Sequence, residues 1–202
     1  LALRGQVIPS TLDNVVLAAE YEDGSINVGE EKISKTHKAI NKIALNPAHP
    51  QATPDAIKAI NEAQIIILGP GSLYTSIIPN LLIKEISDSI AASGATKIYV
   101  CNAMTQPGET QGFAASDHIR ALIKHSNSRI LDYCVVNTAE VPPDVLERYK
   151  QENSYYVIND VKKIQNMGYR VIEDDIGMVE SGVVRHDPVK LAEVIMGFIE
   201  EI

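Results

Sequence analysis

The apolar residues of this chain cluster at two spacings, and the change between them marks its elements. Residues 15–21 read as a strand, Glu22-Asp23-Gly24 as a turn, and 26–29 as an alternating return strand, together a hairpin. Residues 1–12 read as a strand end, a turn and a second short strand, and 43–45 as one more strand before a Pro-containing loop over 46–51. From Thr53 onward helical and strand patterns alternate. Thr53 caps a helix with Pro54 at its first position and Ile57, Ile60 and Ala63 on one face. Ile65-Ile66-Ile67-Leu68 suits a strand buried on both faces, as in a parallel sheet. Further helices are predicted over 80–93 (stripe Leu82, Ile83, Ile86, Ile90, stopped by Gly94), 116–125 (Ile119, Leu122, Ile123), 142–150 and 161–167, the last stopped by Gly168. Strands are predicted over 97–101, 133–136, 155–158 and 169–172. An amphipathic helix closes the chain, with Asp187 as N-cap, Pro188 first, and Leu191, Val194, Ile195, Phe198, Ile199 and Ile202 on one face. This order predicts an α/β, Rossmann-like fold: a mostly parallel sheet with helices on both faces, with the hairpin a small elaboration and the only antiparallel part. No repeat, linker or low-complexity tract interrupts it, so residues 1–202 read as one domain.

The strand at 65–68 stops at Gly69-Pro70-Gly71, and four hydroxyl-bearing side chains follow where a helix would begin: Ser72, Tyr74, Thr75 and Ser76. Glycine lets backbone approach a ligand, and the first N–H groups of a helix favour an anion. Phosphate or nucleotide binding at the carboxyl end of the sheet is one reading. A tight strand-to-helix turn with Ser or Thr capping is the other.

Ligands of doubly wound sheets gather at the strands' carboxyl ends, near the switch point in strand order. Two more such ends are polar. The loop 102–112, opening Asn102-Ala103-Met104-Thr105, is long enough to point to ligand contact, a solvated surface loop being the other reading. Asn137 suits a hydrogen bond to a base or sugar, or a turn ahead of the Pro142 helix. Arg185 suits a bidentate phosphate clamp or a surface ion pair. Tyr149 suits stacking on a base or sugar, or partial core packing.

With 202 residues, 45% of them apolar, the chain can bury a sizeable core. Its net charge of −8 argues against non-specific nucleic-acid binding over the whole surface, while a local basic pocket stays open. No apolar run is long enough to span a membrane and no leader pattern is visible. The chain has no initiator Met and opens in strand-like Leu1-Ala2-Leu3, as expected of a fragment or a processed chain. Cys101 and Cys134 end apolar runs and read as reduced core thiols of a cytosolic protein. A catalytic thiol would want a basic neighbour, and neither has one in sequence. The histidines show no zinc spacing; His118 and His125, seven apart on one helix, are expected to be solvated. Glu173-Asp174-Asp175 reads as a solvated acidic turn, with Mg²⁺ binding as the other reading. Gly69-Pro70-Gly71-Ser72 is not a nucleophile elbow.

Four motifs in order resemble the YvcK-like gluconeogenesis factor family of the CofD-like (2-phospho-L-lactate transferase) superfamily. They are Arg4-Gly5-Gln6-Val7-Ile8-Pro9-Ser10-Thr11; Gly69-Pro70-Gly71-Ser72-Leu73-Tyr74-Thr75-Ser76 with Pro79-Asn80-Leu81-Leu82; Asn102-Ala103-Met104-Thr105-Gln106-Pro107-Gly108-Glu109-Thr110 with Ser116-Asp117-His118; and Arg185-His186-Asp187-Pro188 with Lys190-Leu191-Ala192. The resemblance implies a Rossmann-like fold and a cytoplasmic bacterial protein linked to gluconeogenic growth, cell shape and envelope synthesis. It implies binding of UDP-sugars, UDP-N-acetylglucosamine among them, without an established reaction. The family's ligand-binding Tyr and Arg fall on Tyr149 and Arg185. Its Gly-Gly-Gly-Thr-Gly loop and Asp-Asp-Gly-Gly-Ser segment are not in this sequence. The chain is therefore expected to hold part of the site and to leave an apolar sheet edge open.

The expected function is a nucleotide-sugar-binding regulator with no catalytic residue and no metal. Its expected ligand contacts are Gly69, Gly71, Ser72, Tyr74, Thr75, Ser76, Asn102, Met104, Thr105, Asn137, Tyr149 and Arg185. The alternative is a transferase moving a phospho-lactyl group onto a deazaflavin alcohol, which would bring in Mg²⁺; Gly71-Ser72-Leu73-Tyr74 fits the regulator branch better. A third reading is a factor that docks on other proteins. A cytosolic protein partner and a homo-oligomer are both compatible with the chain; nucleic acid and membrane insertion are not expected.

Overall fold

The computed structural model describes residues 5–200, with side chains as far as Gly197. Leu1-Ala2-Leu3, Arg4, and the side chains of Phe198, Ile199 and Ile202 lie outside those described. Three strands build an antiparallel sheet in the order β2-β1-β3: β1 (Val16–Tyr21), β2 (Ile26–Val28) and β3 (Ile40–Asn46). Alternation along β1 turns Leu17, Ala19 and Tyr21 inward. The turn forms where predicted: Gly24 sits at φ +79° and Asp23 accepts the Ser25 N–H at 2.9 Å. A helix between β2 and β3, α1 (Glu30–Ser34), is too short to show a helical period in the sequence. Upstream, the second short strand expected within 1–12 is reduced to a single bridge between Thr11 and Ala52.

Helix α2 (Pro54–Glu62) starts as predicted, Thr53 Oγ1 accepting the Ala56 N–H at 3.3 Å. The parallel sheet holds β4 (Ile65–Leu68), β5 (Thr96–Val100), β6 (Tyr133–Asn137) and β7 (Arg170–Asp174), in that order. The order follows the chain, so the described strands contain no reversal and no switch point. The expectation that Ile65-Ile66-Ile67-Leu68 is buried on both faces fails, because β4 is an edge strand and Ile67 is 42% exposed. The strands buried on both faces are the central ones, β5 and β6.

Between β4 and β5 the single helix predicted over 80–93 is two pieces, α3 (Ile78–Leu81) and α4 (Lys84–Ala92), and a π-helical turn at Leu73–Ile77 precedes them. Pro79 has no N–H to donate into the preceding turn, which closes with the wide spacing of Ile77 N–H to the Ser72 carbonyl at 3.0 Å. Ile83 is extended and separates α3 from α4, and α4 stops at an extended Ser93 rather than through Gly94. Helices α5 (Ala115–Lys124), α6 (Pro143–Gln151) and α7 (Val161–Asn166) form close to their predicted bounds.

Two further differences concern β structure. Residues 155–158 join no ladder; Tyr156 and Ile158 form single bridges to Met104 and Ala114. A second hairpin, β8 (Gly177–Glu180) and β9 (Val183–His186), means that the N-terminal hairpin is not the only antiparallel part. Its Ser181-Gly182 turn has positive φ at both residues, as a type I′ hairpin turn requires. Helix α8 (Pro188–Glu200) is capped as predicted, the Asp187 carboxylate accepting the Val189 and Lys190 N–H groups at 2.9 and 3.2 Å.

Alternate residues of the central strands feed two cores. Tyr99, Cys101, Cys134 and Val136 pack with α4, α5, α7 and the antiparallel sheet. Ile98, Val100 and Val135 pack with Leu191 of α8. Burial pushes the Cys101 thiol up to about 12 and raises Cys134 as well, so both are protonated core thiols.

Candidate functional site: a cleft at the strand ends

A cleft of about 610 Å³ opens beyond the carboxyl ends of β4 and β5. Four pieces wall it: the turn after β4, the loop after β5, the end of α6, and β9. Gly71, Ser72, Asn102, Met104, Thr105, Tyr149 and Arg185, all singled out from the sequence, meet in it.

Side-chain amides join the two strand ends. Asn102 Nδ2–H donates to the Gly71 carbonyl at 2.9 Å, and Gln106 Nε2–H donates to Ser72 Oγ at 2.9 Å. Met104 and Thr105 are buried in the cleft floor. Thr105 N–H donates to the Tyr155 carbonyl at 2.7 Å, the Tyr155 N–H returns to Thr105 Oγ1 at 2.9 Å, and the Ser154 hydroxyl donates to the Thr105 carbonyl. These bonds commit the backbone of 154–157 to the loop, which is why it joins no sheet. The 102–112 loop is therefore not a solvated surface loop: Ala103, Met104, Thr105, Glu109 and Thr110 are buried.

Tyr149 fixes the remaining wall. Its hydroxyl accepts the Val184 N–H at 3.0 Å, tying β9 to α6. The side chain of Arg185, exposed on β9, makes no hydrogen bond or ion pair among the described residues. Beside it, His186 Nε2–H donates to the Cys101 carbonyl at 3.2 Å, which leaves Nδ1 as an acceptor. Burial lowers the pKa of His186, so the imidazole is neutral at pH 7.

Other residues singled out from the sequence lie elsewhere. Tyr74 and Thr75 turn away from the cleft, and the anion at their helix end is the chain's own. The buried Glu109 carboxylate accepts the Tyr74 N–H at 3.0 Å and the Thr75 hydroxyl at 2.8 Å. Burial raises the Glu109 pKa against those hydrogen bonds. Tyr74 packs edge-on against Phe113 and His125, and burial pushes its phenol up to about 12. Gly69, at φ +86°, lies so close to β5 that a Cβ would stand 3.1 Å from the Val100 carbonyl oxygen. Ser76 faces a groove beside β4. Asn137 is a buried knot: it donates to Tyr156 Oη at 3.1 Å and accepts the Ala139 N–H at 3.1 Å.

His118 and His125 are not solvated; both are buried. His118 Nδ1 faces the Tyr99 hydroxyl at 3.0 Å, and desolvation lowers its pKa to about 4. His125 Nδ1–H donates to the Ala121 carbonyl at 2.7 Å while Nε2 accepts the Ile43 N–H at 3.1 Å, pinning the antiparallel sheet to α5. Seven-residue spacing places both on one helix face, and that face is the core side because Tyr99 of β5 and Phe113 cover it at His118 and β3 covers it at His125.

No group of three or more His, Cys, Asp or Glu among the described residues is placed to hold a metal ion. Asp175 of the acidic turn pairs with Lys190 at 3.0 Å, and the cleft contains one carboxylate, Glu152. These residues do not make up a Mg²⁺ site. Gln106, Glu152, Ser154 and His186 also line the cleft, with no role assigned to them by the sequence. Gln106 and His186 sit inside quoted motifs; Glu152 and Ser154 carry no local signal.

A parallel α/β sheet flanked by helices, with a polar cleft at its strand ends, is a Rossmann-like architecture. The chain belongs to the 2-phospho-L-lactate transferase CofD family, whose model matches residues 1–177. A relative from Nostoc sp. is 48% identical over 198 residues, 97% of this chain and 43% of its own length. The gluconeogenesis factor of Bacillus subtilis is 39% identical over 201 residues, 100% of this chain and 63% of its own. A crystal structure of a Bacillus halodurans protein superposes with a TM-score of 0.93 at 38% identity, covering 96% of this chain and 62% of that one. The chain thus spans between 43% and 63% of these relatives' lengths. Among the described residues no helix is long and apolar enough to cross a membrane.

Proposed function

We propose that this chain is the nucleotide-sugar-binding part of a cytoplasmic regulatory protein of the gluconeogenesis-factor kind. Its ligand is a UDP-sugar such as UDP-N-acetylglucosamine, and its output couples that ligand to gluconeogenic growth, cell shape and envelope synthesis. One observation carries the reading: Arg185, an unpaired guanidinium among the described residues, shares a cleft with Tyr149 and the Gly71-Ser72 turn. Arginine matches phosphate geometry, and an aromatic face suits a base or sugar. The names of the relatives support the regulatory side.

Titration calorimetry tests this with UDP-N-acetylglucosamine against UDP and GDP. Saturable binding with preference for the UDP-sugar is expected. Heats no larger than dilution for all three would overturn it. The family's description supports a second reading, transfer of a phospho-lactyl group onto a deazaflavin alcohol. Turnover of a nucleoside-diphosphate lactate would favour that reading over the first.

A further inference from the structure

Glu152 lines the cleft immediately beyond α6, and its side chain makes no hydrogen bond or ion pair among the described residues. Local electrostatics oppose a carboxylate there, because the last carbonyls of a helix already carry partial negative charge. The cations of that turn do not compensate it. Lys150 pairs with Glu147 at 3.8 Å, and Arg148 stands over the Tyr149 ring and against Gly182.

The position is nevertheless well defined. The Glu152 and Ser154 N–H groups both reach the Tyr149 carbonyl, at 3.0 and 2.9 Å, and Asn153 between them is left-handed at φ +57°. Tyr149 and Glu152, three residues apart, share a helix face.

Among the described lining residues Arg185 is the one cation and Glu152 the one carboxylate. A ligand that satisfies both brings an anion to the first and hydrogen-bond donors to the second. A carboxylate only accepts, and its two oxygens match two neighbouring hydroxyls. We propose that Glu152 is the specificity-determining acceptor for a pair of vicinal hydroxyls on the ligand, carried by its ribose or by its sugar ring, with the phosphates at Arg185. This rests on the nucleotide-sugar reading above.

The test is calorimetry of UDP-N-acetylglucosamine, UDP and 2′-deoxy-UDP on the wild type, Glu152→Gln and Glu152→Ala, with thermal melts of each. Both variants should bind the UDP-sugar about tenfold or more weakly, the loss of a hydrogen bond to a charged group. Their melting temperatures should not fall, since a charge repelled by the helix end is removed; a purely structural role would lower them. If the hydroxyls are ribose, the wild type prefers UDP over 2′-deoxy-UDP and the variants do not. If they are on the sugar ring, only UDP-N-acetylglucosamine loses affinity. Variants that bind all three like the wild type overturn the inference while the nucleotide-sugar reading stands. A wild type that binds none of them overturns both.

Discussion

Glu109 and Tyr74, 35 residues apart in the chain, are joined by a hydrogen bond of 3.0 Å from the Tyr74 N–H to the Glu109 carboxylate. The chain thus fills a helix end with an anion of its own, while the neighbouring Gly71 and Ser72 line the cleft. Glu109→Ala would strand a buried N–H and hydroxyl without their acceptor. Urea denaturation should show a loss of about 1–3 kcal/mol. A variant as stable as wild type would mean that the carboxylate does not hold the turn.

Gly108 sets how closely the same loop approaches the end of α1. It sits at φ +80°, and a Cβ there would lie 2.5 Å from the Thr36 carbonyl oxygen. Backbone cannot retreat as a flexible side chain can. Gly108→Ala should cost about 2 kcal/mol or more, read as a lower melting temperature. An unchanged melt would show that the two segments do not pack this closely.

Arg185 separates the proposed binding role from stability. Because it is exposed and unpaired among the described residues, Arg185→Ala should leave the melting temperature unchanged. It should weaken UDP-N-acetylglucosamine by about 1.5–3 kcal/mol, the range for a lost charged hydrogen bond. Equal affinity in calorimetry would remove Arg185 from the site.

Tyr149 should behave differently, since its hydroxyl supports β9. Tyr149→Phe keeps the ring and strands the Val184 N–H, so stability should fall by about 0.5–1.5 kcal/mol with a smaller loss of affinity. Tyr149→Ala should lose both. If Phe and Ala weaken binding equally, the ring face is not the contact.

Buried histidines make the fold acid-sensitive. The pKa of His118 is lowered from 6.5 to about 4, and that of His125 is lowered too, both mainly by desolvation. The unfolded chain therefore takes up protons first as pH falls below 6.5. Stability is full above 6.5 and declines as pH drops towards 4, by up to ~3 kcal/mol for His118. His118→Asn keeps an acceptor for Tyr99 while removing the titration, and should flatten the slope of unfolding free energy between pH 6.5 and 4. A slope identical to wild type would assign the acid sensitivity elsewhere.

Much of the fold was legible because its signals are local. Thr53-Pro54 and Asp187-Pro188 are cap chemistry and formed as read. The central strands are apolar on both faces and declare themselves. Ile65-Ile66-Ile67-Leu68 carries the same signal yet lies at an edge, since composition cannot say which neighbour is present. The β8–β9 hairpin carries little local signal beyond its Ser181-Gly182 turn, because its strands are short and only partly apolar.

By itself, the sequence determined the α/β class, the capped helices, and the glycine turn, polar loop, Tyr149 and Arg185 that could carry a site. The tertiary structure decided which of these share a space. Tyr74, Thr75 and Asn137 looked equally eligible, but each is tied to a polar partner that comes from another part of the chain, Glu109 or Tyr156. Glu152 and His186 acquired a place in the cleft only when α6 and β9 closed on the strand ends. Capping and periodicity are settled within a few residues of chain, whereas the burial and pairing of a polar group depend on what folding brings beside it.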